Sequence, residues 1–281
     1  MPTAPLNGVD LHYQVTGPED GLPLVLSNAL GCTMDIWDPL LPHLPEGLRV
    51  LRYDRRGHGR SGVPQPPYSM GQLVRDTEAL LDHLALGPCV FLGLSLGGMV
   101  AQGLAIKRPD LCRALILSNT AARIATAEIW RDRAASAGAK GLGALADATM
   151  ARWFTPRFRA TPEFQTWRDM FLATPVDGWV GCAQAIAGTD FYTTTATLRL
   201  PCLGIAGDRD GSTPPDLVQE TVALIPGAEF ALIRHAGHLP QIEKPADYAQ
   251  AITNFLTRHN LHLAKNARCC GARHHGHGPG A

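Results

Sequence analysis

Residues 88–98, Pro-Cys-Val-Phe-Leu-Gly-Leu-Ser95-Leu-Gly-Gly, carry the clearest structural signal in the chain. The apolar run 89–92 predicts a short buried strand, and the small residues 97–107 predict a helix. The pattern G-x-S-x-G therefore lies on a tight turn from a strand to a helix, where it exposes a serine hydroxyl. A Cβ at Gly93 or Gly97 would collide with the neighbouring turn. We predict that Ser95 is a nucleophile; the alternative is a Gly/Ser turn without function.

Working outward from this turn, strand-like and helix-like segments alternate. The predicted strands are 9–15, 24–26, 48–53, 89–92, 114–117, 202–206 and 230–233. The predicted helices are 36–44, 70–84, 97–107, 217–224 and 248–256, with Ser69 as the N-cap of the second. This alternation favours an α/β fold with a mostly parallel central sheet and helices on both faces.

The alternation stops between residues 121 and 197. This segment is rich in alanine, has no convincing buried strand, and holds four of the five tryptophans, which are Trp130, Trp153, Trp167 and Trp179. We predict a helical cap, 121–197, inserted after the strand 114–117 of a core formed by 1–120 and 198–259. Caps at the carboxyl ends of parallel strands usually cover a ligand crevice. A purely structural helical insertion is the alternative.

Composition narrows the class of protein. The 281 residues are 45% hydrophobic and 18% charged, and the formal net charge is zero. A balanced charge gives no reason to expect nucleic acid or a membrane surface as a partner. No apolar run approaches the roughly 18 residues of a membrane span. Seven cysteines without framework spacing favour a reducing compartment, so we predict a cytoplasmic protein.

The last residues differ from the rest. Residues 266–281 hold two adjacent cysteines and three histidines, a composition that can bind metal but that lacks zinc-ligand spacing. We predict that 260–281 form a disordered tail without a catalytic role, and we predict no metal site.

A serine hydroxyl needs a base and an orienting acid, which follow it in the order acid, then histidine. His238 lies in the loop after the strand 230–233, where it reaches the carboxyl edge of the sheet; His235 is the nearest competitor. The acid lies in the sequence Gly207-Asp208-Arg209-Asp210, after another strand. Asp210, shortly before Thr213-Pro214, is the predicted acid, and Asp208 is expected to bind backbone amides instead.

An oxyanion hole needs two backbone N–H groups aimed at the developing charge. Leu96, directly after the nucleophile, supplies the first. The second is expected from the turn 27–31, after the strand 24–26. The polar loop 54–62 follows a third strand; we expect Asp54 and Arg56 to be structural anchors there and His58 to belong to the loop.

Several runs together resemble the 3-oxoadipate enol-lactonases of the α/β-hydrolase superfamily. They are 26–31, 37–38, 51–54 with 56–59, 93–98, 119–124 and 152–156 with 158–159, and the match spans about residues 5–257. Many relatives have His-Gly where this chain has Ser27-Asn28, and that register makes Ala29 the second oxyanion donor. The chain departs from the family at 207–212, where relatives commonly have G-x-x-D-P-V, and its tail has no counterpart.

The resemblance implies the α/β-hydrolase fold, with a helical cap inserted after its sixth strand, and hydrolysis of 3-oxoadipate enol-lactone to 3-oxoadipate in bacterial aromatic catabolism. The reaction would use a Ser-His-Asp triad and an acyl-enzyme, with no metal or organic cofactor. The partner is then a small lactone that bears a carboxylate. Alternatives are another carboxylesterase or lactonase, a cofactor-free haloperoxidase-like enzyme, and a ligand-binding protein with a decayed site. The sequence leaves the oligomeric state open.

A substrate carboxylate requires a cation or several donors. Arg123, at the start of the cap, is one candidate, and Arg133 is a weaker one. Trp130 is a candidate wall of the substrate pocket. The alternatives are surface or structural arginines and a tryptophan that packs in the core.

Overall fold

A computed structural model describes residues 2–261, which form one eight-stranded sheet with helices around it. The strands are β1 (Thr3–Leu6), β2 (Val9–Thr16), β3 (Leu22–Ser27), β4 (Leu48–Tyr53), β5 (Cys89–Leu94), β6 (Cys112–Ser118), β7 (Cys202–Gly207) and β8 (Glu229–Ile233). Their order is β1-β2-β4-β3-β5-β6-β7-β8. The pairs β1–β2 and β2–β4 are antiparallel and the others are parallel. The predicted mostly parallel sheet is confirmed.

The helices before the cap are α1 (Met70–His83) and α2 (Leu96–Lys107). Those between β6 and β7 are α3 (Ala127–Lys140), α4 (Gly143–Trp153), α5 (Pro156–Arg159), α6 (Phe164–Leu172), α7 (Val176–Ala187) and α8 (Tyr192–Thr195). Those after β7 are α9 (Pro215–Ala223), α10 (Pro240–Glu243) and α11 (Pro245–Arg258). The predicted helical cap thus follows the sixth strand. The exact domain boundaries stay predictions, and most of the predicted tail lies outside the described residues.

Local sequence explains why β5 and α1 form where they do. β5 is buried along its whole length, as expected of a strand covered on both faces. The Ser69 side chain accepts from the Gln72 N–H and the Gln72 side chain accepts from the Ser69 N–H, so α1 begins with a capping box. Within residues 2–261, no helix combines the length and the apolar character needed to cross a membrane.

Two elements differ from the sequence prediction. Strand β1 was not predicted, because it is a partly exposed edge strand that gains its order by pairing with β2 across the Asn7-Gly8 turn. The predicted helix 36–44 is wrong; two short 3₁₀ turns, Met34–Trp37 and Leu41–His43, occupy the segment instead. Pro39 and Pro42 lack the N–H that a continuous helix requires.

The cap is seated on loops at the carboxyl ends of the strands. The backbones of Gly57, after β4, and Gly178, in α7, touch so closely that a Cβ on Gly57 would lie 2.4 Å from the Gly178 Cα. The ring of Phe171, in α6, lies against Gly31, after β3. These contacts enclose a space between the cap and the carboxyl edge of the sheet.

Candidate active site

Ser95 occupies a strained turn between β5 and α2. Its φ is +56° and its ψ is −115°, a conformation that residues other than glycine rarely adopt. The Ser95 N–H donates to the Ser118 carbonyl at 2.9 Å, and the Thr120 hydroxyl donates to the Ser95 carbonyl at 2.6 Å. These bonds to the end of β6 hold the turn in place. Strain that its surroundings maintain is typical of a functional site.

The glycines on either side are required by close backbone contacts. A Cβ on Gly93 would lie 2.2 Å from the Gly97 carbonyl oxygen, and one on Gly97 would lie 2.1 Å from the Ser27 carbonyl oxygen. The collision expected from the sequence pattern is therefore present. The second contact also brings the end of β3 next to the first turn of α2.

His238 and Asp210 come together at the ends of β8 and β7. Nδ1 of His238 lies 2.8 Å from Oδ2 of Asp210, and both side chains are almost completely buried. An imidazole that donates Nδ1–H to a carboxylate keeps Nε2 free to accept a proton. Ser95 and His238 line the same cavity. The competitor His235 is exposed and lines a different depression.

The Asp210 carboxylate is held by several donors besides the imidazole. Oδ2 accepts from Asn119 Nδ2 at 2.9 Å and from the Thr213 hydroxyl at 2.8 Å. Oδ1 accepts from the backbone N–H groups of Ser212 at 2.7 Å and Thr213 at 3.1 Å. Burial raises the pKa of Asp210, but the charge of His238 and these hydrogen bonds outweigh it and hold the pKa below its ordinary value. The carboxylate is therefore ionised at neutral pH.

Asp208 has the different role expected for it. Its Oδ1 accepts from the backbone N–H of Ala236 at 3.2 Å and so ties the end of β7 to the loop that carries His238. Of the two aspartates, only Asp210 contacts the imidazole.

The two proposed oxyanion donors come from the loop after β3 and from the start of α2. Ala29 follows β3 and Leu96 begins α2, and both residues are buried. Within residues 2–261, neither backbone N–H has a hydrogen-bond partner in the protein. The N-terminus of α2 adds a partial positive charge at the same place. This arrangement suits the stabilisation of a negative oxygen.

The loop after β4 holds the loop that carries Ala29. Nε2 of His58 accepts from the Gly31 N–H at 2.9 Å, and the Asp54 carboxylate accepts from the Met34 N–H at 2.7 Å. His58 is completely buried, and burial with the nearby charge of Arg55 lowers its pKa to about 3. His58 therefore stays neutral and acts as an acceptor, which agrees with its expected place in the loop.

A cavity of about 140 Å³ lies above Ser95 and His238. Aromatic side chains from the cap form much of its wall, namely Trp130, Trp153, Phe171 and Trp179. The Trp153 indole stacks on the His238 imidazole with 6.2 Å between ring centroids. The backbone carbonyl of Trp153 also accepts from the backbone N–H of His238 at 2.8 Å. Because pockets for drug-sized ligands measure about 300–1,000 Å³, this cavity suits a smaller molecule.

Two arginines line the same cavity. The Arg133 guanidinium lies 4.9 Å from the centroid of the Trp130 ring, and the Arg152 guanidinium donates to the Thr149 hydroxyl at 3.3 Å. Burial lowers the pKa of both side chains, and the charge of Arg152 lowers that of Arg133 further. Among the residues that the structure describes, neither forms an ion pair with a carboxylate. Two cations without a counter-charge make the cavity attractive to an anion.

The predicted substrate residues are thus only partly brought together. Trp130 and Arg133 line the cavity, but Arg123 does not. The Arg123 side chain is 55% exposed, lies 3.4 Å from Asp190 and lines a separate surface depression. The prediction that Arg123 binds the substrate is therefore corrected. Arg152 was missed, although it stands in the family-like run 152–156.

Comparison with known proteins agrees with this geometry. Residues 23–245 match the family model described as the alpha/beta hydrolase fold. The 3-oxoadipate enol-lactonase 2 of Acinetobacter baylyi is 34% identical over 90% of this chain and 95% of its own length.

The chain is an α/β-hydrolase of the 3-oxoadipate enol-lactonase family.

Solved structures support this membership of the α/β-hydrolases. The enol-lactonase from Burkholderia xenovorans superposes with a TM-score of 0.87 at 36% identity, covering 91% of this hydrolase and 100% of that chain. A thermophilic esterase from Thermogutta terrifontis, with malate bound, gives a TM-score of 0.86 at 30% identity over 93% of this chain and 98% of its own.

Proposed function

We propose that this hydrolase opens 3-oxoadipate enol-lactone to 3-oxoadipate through an acyl-enzyme on Ser95. The observation that carries the proposal is the presence of Arg133 and Arg152, without carboxylate partners in the described chain, in one cavity with Ser95 and His238. A substrate with an ester bond and a free carboxylate fits this cavity, because the ester can meet Ser95 and His238 while the carboxylate meets the arginines. Similarity to the A. baylyi enol-lactonase points to the same substrate.

The arginines suit a carboxylate for two reasons. A guanidinium presents several donors in a plane and can bind a carboxylate through two parallel hydrogen bonds. Each cation is partly withdrawn from water and lies near the other, and burial lowers the pKa of both. A bound carboxylate would reduce their mutual repulsion, so binding of an acidic substrate gains more than binding of a neutral one. The malate in the related Thermogutta esterase structure is also a carboxylate.

Acylation follows from the roles assigned to the buried residues. Ser95 Oγ attacks the lactone carbonyl while His238 Nε2 accepts its proton, and Asp210 stabilises the imidazolium. The N–H groups of Ala29 and Leu96 hold the negative oxygen of the tetrahedral intermediate. The bond between the carbonyl carbon and the ring oxygen then breaks. The leaving group is an enolate, which takes up the proton that His238 received from Ser95 and settles as the ketone. His238 is then neutral again.

Deacylation uses the same groups in reverse order. The ester formed on Ser95 is attacked by water, which loses its proton to His238, and the proton returns to Ser95 Oγ as the acid leaves. The reaction then needs only the side chains and backbone groups named here. The cytoplasmic location of the protein stays a prediction.

A carboxylesterase for neutral esters is the second candidate. The aromatic wall formed by Trp130, Trp153 and Trp179 favours it, because such a surface also suits an apolar acyl group. The related Thermogutta protein is named an esterase. The two candidates differ in whether the substrate needs a negative charge.

Hydrolysis of the enol-lactone by the purified protein tests the proposal. We expect the wild type to open the lactone with a higher kcat/KM than it shows for p-nitrophenyl acetate. The variant Ser95→Ala should lose the activity by a factor of about 10⁴ or more while keeping its fold. Rapid cleavage of the aryl ester with the lactone left intact would contradict the proposal and support the esterase.

A further inference from the structure

A buried arginine contacts the oxyanion loop, which is the segment 27–31 that carries the Ala29 N–H. Arg55 follows β4, is 4% exposed, and donates from Nη2 to the backbone carbonyl oxygen of Asn28. Its Nε has no hydrogen-bond partner. Throughout residues 2–261, no carboxylate lies within 4.0 Å of its guanidinium. A buried cation that is not paired is expensive, so its retention calls for a reason.

The carboxylates of Asp54 and Asp76 are engaged by other partners. Asp54 contacts His12 and accepts from the Met34 N–H, and Asp76 pairs with Arg56. Because no carboxylate neutralises it, the charge of Arg55 affects the pKa of neighbouring side chains. It contributes to the low pKa of His58 and opposes the effect of burial on the pKa of Tyr53 and Cys32.

The carbonyl that Arg55 contacts belongs to the same peptide group as the Ala29 N–H. In a trans peptide the C=O and the N–H point in opposite directions, so a cation on the Asn28 oxygen lies behind the Ala29 donor. Hydrogen bonds in a chain polarise one another, more strongly in a low-dielectric interior. A charged donor on the oxygen withdraws electrons from the amide and makes its N–H a better donor.

The Asn28 side chain keeps this peptide from turning. Its Oδ1 accepts from Trp37 Nε1 at 2.7 Å, and its Nδ2 donates to the Tyr53 carbonyl at 2.9 Å. His58 holds the other end of the loop through the Gly31 N–H. The contact between Arg55 and the Asn28 carbonyl is thus built into the fold from several sides.

We propose that Arg55 is a positioning residue that acts through the Asn28–Ala29 peptide to strengthen the Ala29 N–H as an oxyanion donor. The inference rests on the proposed serine mechanism but not on the lactone substrate. It assigns a function to a buried charge that no other step of the reaction uses.

The test measures the oxyanion itself. A benzyl trifluoromethyl ketone labelled with ¹³C at its carbonyl forms a hemiketal with Ser95, and its ¹³C shift titrates with the hemiketal hydroxyl. We expect Arg55→Gln to raise the pKa of that hydroxyl by about one unit, which corresponds to a tenfold weaker stabilisation of the oxyanion. The kcat for p-nitrophenyl acetate should fall about 10- to 100-fold with little change in KM, less than the loss of a whole oxyanion donor. Arg55→Lys, which keeps the charge, should restore part of both.

The matched control is Arg56→Gln, the same change one residue away. Arg56 pairs with Asp76 instead of the oxyanion loop, so this variant should lose stability while the hemiketal pKa stays at the wild-type value. If free Arg55→Gln does not fold, it is prepared as the adduct, because a bound ligand stabilises the folded state. An unchanged hemiketal pKa in Arg55→Gln would overturn the inference, even with a slower reaction. Absence of an adduct on the wild type would remove the oxyanion site and the inference with it. Failure to open the enol-lactone would overturn only the substrate.

Discussion

His238 Nδ1 lies 2.8 Å from Asp210 Oδ2, while Asp208, two residues earlier, binds the backbone N–H of Ala236. Both aspartates follow β7, and both touch the loop that carries His238. Only one of them contacts the imidazole. The same short segment thus provides one aspartate that orients the His238 imidazole and another that holds the loop on which His238 lies.

The two aspartates should therefore respond differently to removal of their charge. Asp210→Asn is expected to lower kcat by a factor of about 10⁴, because the amide stabilises the wrong imidazole tautomer. Asp208→Asn should change kcat less than about tenfold. Steady-state kinetics on p-nitrophenyl acetate measures both variants in parallel. Equal losses in the two would show that Asp210 is not the orienting acid.

Gly93 and Gly97, on either side of Ser95, should tolerate no side chain. In Gly97→Ala the new Cβ would meet the Ser27 carbonyl at 2.1 Å, a backbone atom that cannot move aside. We expect the free energy of unfolding to fall by about 3 kcal/mol or more, measured by urea denaturation.

Gly138, in α3, supplies the matched control for that substitution. A Cβ there would have no atom within 4 Å. Gly138→Ala should therefore raise the free energy of unfolding by about 0.5–1 kcal/mol, the difference in helix preference. If Gly97→Ala were as stable as the wild type, the close contact between β3 and α2 would be wrong.

His58 should make the fold sensitive to mild acid. Its pKa is about 3 in the folded protein, below the ordinary value of about 6.5 for an exposed histidine. The unfolded chain therefore binds a proton that the folded chain refuses, so stability falls as the pH drops below 6.5 and continues to fall to about pH 3. Over this range His58 is expected to lower the free energy of unfolding by about 1.4 kcal/mol for each unit that the pH falls.

Removing the titratable group at position 58 should make the free energy of unfolding less dependent on pH. His58→Gln keeps an acceptor for the Gly31 N–H but does not titrate, so its unfolding free energy should change less between pH 6 and pH 4 than that of the wild type. Replacement of the exposed His83 by Gln is the control and should parallel the wild type. Parallel curves for all three proteins would mean that His58 is accessible to protons.

Arg152 should affect binding more than chemistry. Loss of one charge-assisted hydrogen bond to a substrate carboxylate costs about 1.5–3 kcal/mol. Arg152→Leu is therefore expected to raise the KM for the enol-lactone about 10- to 100-fold with a smaller change in kcat. Arg157→Leu, an exposed arginine in another depression, should leave KM unchanged. Equal KM values for Arg152→Leu and the wild type would exclude Arg152 as a carboxylate ligand.

Some of this site could be predicted from the sequence because its signals are local. Ser95 lies in a spaced motif between a strand and a helix, and Asp210 and His238 each follow a strand. Their convergence then follows from parallel strands, which end at one edge of the sheet. The choice of Asp210 over Asp208 rests on the place of Asp210 shortly before Thr213-Pro214.

The cap residues could not be predicted in the same way. Whether an arginine faces the cavity depends on how each cap helix is rotated and packed, and the sequence of a short alanine-rich helix does not determine that. Arg123 precedes α3 and turns to Asp190 on the surface, whereas Arg152, near the end of α4, points into the cavity. The role of Arg55 was also hidden, because it depends on contact with a carbonyl 27 positions away in sequence.

The most direct test of the central claim compares two substrates that differ in one charge. The claim is that the cavity over Ser95 recognises a carboxylate through Arg133 and Arg152. The measurement is the ratio of kcat/KM for 3-oxoadipate enol-lactone to that for its methyl ester, at constant pH and low ionic strength. We predict a preference for the free acid of about 100-fold or more, which two charge-assisted contacts would produce. Equal values, or a preference for the methyl ester, would contradict the claim.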